Sequence, residues 1–138
     1  MPWIIEYLRG NRKIVSILQK LFDEGLFVSI ISVAELYEGV YASTSPKHKM
    51  ALDDFLSGVV VLGVDLNVCE TFGKLRHELR KRGEVIGDFD LLIAATALSN
   101  DLTILTNNVK HFKRVSGLEF SQRWTFYSLT NIRASSLD

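Results

Sequence analysis

Three acidic side chains, Glu35, Asp88 and Asp90, stand where a folded chain can use them for chemistry. Glu35 follows closely on a short β-favouring run, and Asp88 and Asp90 open a segment that is apolar at nearly every later position. Carboxylates gathered in one place repel one another unless positive charge lies between them. Mg²⁺ or Mn²⁺ suits such a cluster, because these ions take oxygen ligands and leave positions for water and substrate phosphate. An ion so held activates water and stabilises charge on a phosphodiester during in-line displacement.

Each carboxylate also has a plainer explanation. Glu35 lies three residues after Ser32, the spacing of a capping box, so it fits the reciprocal half of a helix cap equally well. Asp88 fits a simple N-cap. Asp90 sits one turn into an apolar helix, where a carboxylate is costly unless solvated, paired or metal-bound. A favourable position in the helix dipole is the plain account of it. A phosphatase using Asp88 and Asp90 as an Asp-x-Asp pair is a weaker reading, since that chemistry wants its aspartates directly after a strand.

The elements that must position these residues alternate between two periods. Apolar residues at Ile14, Ile17, Leu18 and Leu21 predict a helix over 13–22, and Trp3–Leu8 an earlier apolar helical stretch ended by Gly10 and Asn11. Leu26–Ile30 reads as a strand. A helix is expected over 32–41, and another from Ser45-Pro46 to about Leu56, with proline at its first position. Val59–Leu62 reads as a continuous apolar strand of the kind buried on both faces. Asp65 caps a helix with Val68, Phe72, Leu75 and Leu79 on its apolar face. Arg80, Lys81, Arg82 and Gly83 are its C-terminal signals. The helix opened by Asp88 or Asp90 is apolar all round and therefore buried. Leu102–Leu105 is a strand, Asn107-Asn108 a turn, and Leu118–Phe120 a last short strand. Residues 1–124 are expected to form one domain, and 125–138 a loose tail.

Strands alternating with helices imply an α/β fold with a parallel sheet. Ligands of such sheets bind at the carboxyl ends of the strands, here just after Ile30 and Leu105 and near Asp90. Composition agrees with a globular domain: 138 residues, 47% apolar and 23% charged. Sixteen basic and sixteen acidic side chains cancel. Nucleic-acid binding would therefore need a local basic patch. The run Lys74, Arg76, Arg80, Lys81 and Arg82 offers either phosphate contacts or one solvated helix face. His48 and His77 read as helix-surface residues. One cysteine, Cys69, excludes an internal disulfide. No apolar stretch approaches a membrane span and no signal peptide is visible, so the cytoplasm is expected.

Several segments, taken in order, resemble the VapC-type toxins of the PIN-domain ribonuclease family. Gly87-Asp88-Phe89-Asp90-Leu91-Leu92-Ile93-Ala94-Ala95-Thr96-Ala97 is similar to that family's third acidic motif. Ser29 to Gly39, with Ala34-Glu35-Leu36, resembles the second. Thr106-Asn107-Asn108-Val109-Lys110-His111-Phe112 resembles the fourth. Lys74-Leu75-Arg76 through Gly83, Ile86-Gly87 and Tyr7-Leu8-Arg9-Gly10 follow the pattern as well, so the resemblance runs from Trp3 to Trp124.

The resemblance implies a three-layer α/β/α domain. Glu35 and Asp90 would bind Mg²⁺ or Mn²⁺, with Asp88 as an auxiliary acid and Asn108 positioning the site or the RNA. His111 falls where relatives carry an acid or a histidine, and otherwise reads as a surface turn residue. The implied activity is that of a metal-dependent endoribonuclease toxin of a toxin–antitoxin system. Its partners would be RNA, a VapB-like antitoxin bound along an N-terminal groove, and a second copy of itself. The alternative is a PIN-like protein that binds antitoxin or RNA without cutting.

The resemblance also places the family's first strand and its aspartate ahead of Met1, by an upstream start or a shortened copy. Glu6 falls on the following helix and reads as solvated. The central place in the sheet is then expected to be closed by flanking strands or filled by a partner chain.

Overall fold

The computed structural model describes residues 26–105, 112–117, 120–121 and 131–134, together with helical positions 12, 15, 16, 19, 20 and 23. Strand β1 (Leu26–Ser29) runs straight into helix α1 (Ile30–Ala42). Helix α2 (Pro46–Ser57), strand β2 (Val60–Leu62) and helix α3 (Leu66–Lys81) follow. Helix α4 (Asp88–Ser99) and strand β3 (Leu102–Leu105) come next. Short strands β4 (Phe120–Ser121) and β5 (Asn131–Ala134) complete the described elements. The expected α/β alternation holds, and no described helix is long and apolar enough to cross a membrane.

Local chemistry explains most boundaries. The Asp65 carboxylate accepts the Val68 N–H at 2.9 Å and so starts α3. Arg80 and Lys81 occupy its last turn, and Gly83 follows at φ +68°, a left-handed conformation open to glycine. Pro46 opens α2 as expected. The start of α1 differs from the capping-box expectation. Ser29, not Ser32, is the cap, its hydroxyl accepting the Ile31 N–H at 3.1 Å. Ser32 is buried inside the helix.

Helix α4 is the hub of the core. Leu91, Ile93, Ala94, Ala95 and Ala97 are fully buried, packed with Leu75, Leu79, Ile86, Ile104 and Phe112. Thr96, also buried, satisfies its hydroxyl by donating to the Leu92 carbonyl at 2.8 Å. The neighbouring helix α3 covers one side of α4, and α1 reaches another.

The sheet departs from expectation in two ways. Its order among the described residues is β2-β1-β5-β3-β4. The β1–β2 and β3–β4 pairs are parallel, but β5 lies between β1 and β3 and is antiparallel to both. Ile132 pairs with Phe27 on one side and Ile104 on the other. Residues 131–134, expected in a loose tail, are thus the middle strand. The centre is filled neither by flanking strands closing up nor by a partner chain, but by the chain's own C-terminal segment. The physical reason is the cost of leaving two rows of backbone groups unpaired in the middle of a sheet. The second departure is β2, an edge strand with Val60 and Val61 exposed, rather than a strand buried on both faces.

Candidate metal and RNA site

Helix α1 begins at the carboxyl end of β1 and carries Glu35 into its second turn. Because Ser29 caps the helix, the reciprocal capping role is not available to Glu35. The residue as a whole is open to solvent. Its carboxyl is nevertheless held above the ordinary value of 4.5, first by partial desolvation, then by the Asp90 charge, then by Glu38 one turn along. The fold therefore brings Glu35 and Asp90 into one electrostatic field from two separate helices. Glu38 escaped the sequence reading, although its three-residue spacing from Glu35 on a helix was visible.

Asp88 has a different neighbour. Arg76 of α3 donates from Nη2 to its Oδ1 at 2.5 Å and from Nη1 to the Ile86 carbonyl at 2.8 Å. The same guanidinium lies 5.5 Å from the centroid of the Phe72 ring. The Arg76 side chain is only 13% exposed, against 80% for Asp88. Gly87 is the N-cap of α4, with no side-chain cap bond, so Asp88 is not the cap either. At 100° per residue, positions 88 and 90 point roughly 200° apart around the helix. That geometry sets aside an Asp-x-Asp pair acting on one atom.

Among the described residues, no three His, Cys, Asp or Glu side chains gather as a metal cluster. Asn108 and His111 lie outside the described residues, as do Glu6 and the apolar N-terminal stretch. The Glu35–Asp90 pair alone still fits a hard divalent ion. Its donors are carboxylate oxygens, and the Asp90 and Glu38 charges add to the desolvation that raises the Glu35 carboxyl, a cost that a cation would lower. Mg²⁺ is ordinarily held by one or two carboxylates, with water and substrate phosphate completing its shell.

Members of the basic run have separate duties. Lys74 pairs with Glu70 at 3.4 Å on the open face of α3. Arg82 turns away to the Arg114 carbonyl at 2.5 Å and Glu84 at 3.4 Å. Phe72, Gly73, Arg76, His77, Arg80 and Asp88 line an open groove of about 490 Å³ beside the start of α4. The reading of one solvated helix face misses this groove, because it forms only where α3 meets the start of α4.

Comparison with known proteins agrees with the fold. Residues 3–118 match the PIN domain. Ribonuclease VapC1 of Haemophilus influenzae (strain R2866) is 37% identical over 126 residues, covering 88% of this chain and 93% of that protein. The tRNA(fMet)-specific endonuclease VapC of Shigella flexneri is 35% identical over 99 residues, 71% of this chain and 74% of that one. Among solved structures, VapBC2 from Rickettsia felis, bound to a DNA fragment from its promoter, superposes with a TM-score of 0.75. Sequence identity is 31%, with coverage of 87% of this chain and 92% of that chain. VapBC-1 from nontypeable Haemophilus influenzae gives a TM-score of 0.72 at 33% identity, covering 86% and 91%.

Proposed function

The chain belongs to the PIN-domain family, and we propose that it is a metal-dependent endoribonuclease, the toxin of a toxin–antitoxin pair. The observation that carries this reading is that the Asp90 charge, from the first turn of α4, acts on Glu35 of α1, the helix that starts at the carboxyl end of β1. The names of its relatives, a ribonuclease and a tRNA endonuclease, support RNA as the substrate class. The VapBC complexes among the similar structures support a VapB-like antitoxin as partner. Pairing with a second copy belongs to the same proposal.

In this reading Glu35 and Asp90 hold Mg²⁺ or Mn²⁺. When bound, the ion supplies an activated water and charge stabilisation for in-line attack on a phosphodiester. Asp88 acts as an auxiliary acid chiefly through Arg76. Their ion pair ties the first turn of α4 to α3, so Asp90 is presented from a fixed helix start. Asn108 helps position the RNA.

The test is RNA cleavage by the purified chain with added Mg²⁺ or Mn²⁺. Cleavage should stop with chelator and fail in Asp90→Asn and Glu35→Gln. A second reading is that the chain binds RNA or a VapB-like partner without cutting, since no three metal-ligating side chains gather among the described residues. Binding with no cleavage under any divalent ion would establish that reading and end the first.

A further inference from the structure

Helix α3 carries Gly73 near its middle, where glycine costs about 1 kcal/mol relative to alanine. Packing does not demand it, since a Cβ built there meets no atom within 4 Å. The position is instead part of the groove beside α4. Arg80, one turn beyond Arg76, lines the same groove and forms no ion pair with any described residue. Arg76 is committed to Asp88 and the Ile86 carbonyl, so the uncommitted positive charge of the groove is that of Arg80. His77 adds a second nitrogen donor at the wall. A helix glycine kept open beside an uncommitted arginine is what close approach of a phosphate backbone requires.

The groove lies on the Asp88 side of the α4 N-terminus and the Glu35–Asp90 pair on the other, because the two aspartates diverge by roughly 200°. We propose that the groove is a subsite for the sugar–phosphate backbone of RNA, one that grips a phosphodiester flanking the bond to be cut. Arg80 and His77 donate to its oxygens. Arg76, fixed by Asp88 and seated on Phe72, holds the floor in place. Gly73 leaves room for the strand to pass. A chain of zero net charge needs such a local patch to hold RNA at all. The inference rests on the endoribonuclease reading for the identity of the strand, but its test does not depend on cleavage.

The experiment measures binding of a short fluorescent single-stranded RNA to the full chain in chelator, by anisotropy across a salt series. Arg80→Gln should weaken binding about tenfold and lower the salt slope by about one. Gly73→Glu should weaken it at least as much while the melting temperature holds or rises, since glutamate is the better helix former. Arg80→Lys should recover part of the loss. In cleavage assays Arg80→Gln should raise KM more than it lowers kcat. Affinities and salt slopes equal to wild type in both variants would overturn the subsite and leave the cleavage reading standing. Groove-dependent binding without cleavage would keep the subsite and end the cleavage reading. A wild-type chain that binds no RNA in chelator overturns the subsite, while the cleavage reading is decided by its own assay with added Mg²⁺ or Mn²⁺.

Discussion

Two aspartates two residues apart in one helix turn meet opposite environments. Asp88 faces α3 and is neutralised by Arg76, a nearly buried cation that also holds the Ile86 carbonyl. Asp90 faces α1 and shares its field with Glu35, a second negative charge near a third, Glu38. Helix geometry alone separates them, since 100° per residue turns the two side chains to different neighbours. Charge balance then sorts their roles. A carboxylate matched by an arginine ties elements together, whereas two carboxylates that share one field suit a divalent cation.

The largest effect should come from breaking the like-charge side. Asp90→Asn should lower RNA cleavage by about 100-fold or more, because a metal contributes several kcal/mol of transition-state stabilisation and each 1.4 kcal/mol is tenfold. Asp88→Asn should cost less than about tenfold, because the amide oxygen still accepts from Arg76 and the helix start keeps its anchor. Single-turnover rates with saturating Mn²⁺ measure both. Equal losses would erase the distinction between the two aspartates.

The balanced side should show its worth in stability. Arg76→Leu removes both hydrogen bonds, leaves the Ile86 carbonyl without its donor and ends the contact with Phe72. A loss of about 2 kcal/mol is expected, the scale of a polar group left unsatisfied. Chemical denaturation reads it directly. A loss too small to measure would mean that the pair does not anchor α4.

How much of this was legible in the sequence varies with how local the cause is. Asp65 and Gly83 act on residues within one turn, and both ends of α3 were readable. The pattern around Asp90 was readable because an acid in an apolar helix needs a reason. Ser32 misled because Ser-x-x-Glu spacing exists there without the geometry. The chain had already turned helical at Ile30, so Ser29 took the cap. Val60 and Val61 misled because β-branched runs look alike in edge and central strands, and only the neighbours decide burial. Strand β5 was illegible for the deepest reason. Asn131-Ile132-Arg133-Ala134 has little strand character of its own. It is a strand because β1 and β3 offer it two ladders, a condition set by the whole fold. Arg76, taken with the basic run, likewise gains its place only where α3 meets α4, which leaves its side chain 13% exposed.

The smallest expected effect tests the like-charge side without any assay of cleavage. Glu35 has its carboxyl raised in the folded protein, first by desolvation, then by Asp90 and Glu38. The folded state therefore binds that proton more tightly than the unfolded state does. By linkage, Glu35 costs no stability at acid pH, below its ordinary value of 4.5. The penalty grows as pH rises through the raised value and then stays constant. Glu35→Gln cannot titrate and should melt higher than wild type at neutral pH. The gain should be under about 1 kcal/mol, since solvent screens so open a group. That gain should shrink towards zero as pH falls below the ordinary carboxylate range. Added Mn²⁺ should act in the opposite sense, raising the wild-type melting temperature at neutral pH by binding the folded state and leaving Glu35→Gln nearly unmoved. A variant that gains nothing at neutral pH, or that responds to Mn²⁺ as wild type does, would show that Glu35 and Asp90 do not share one field or one ion.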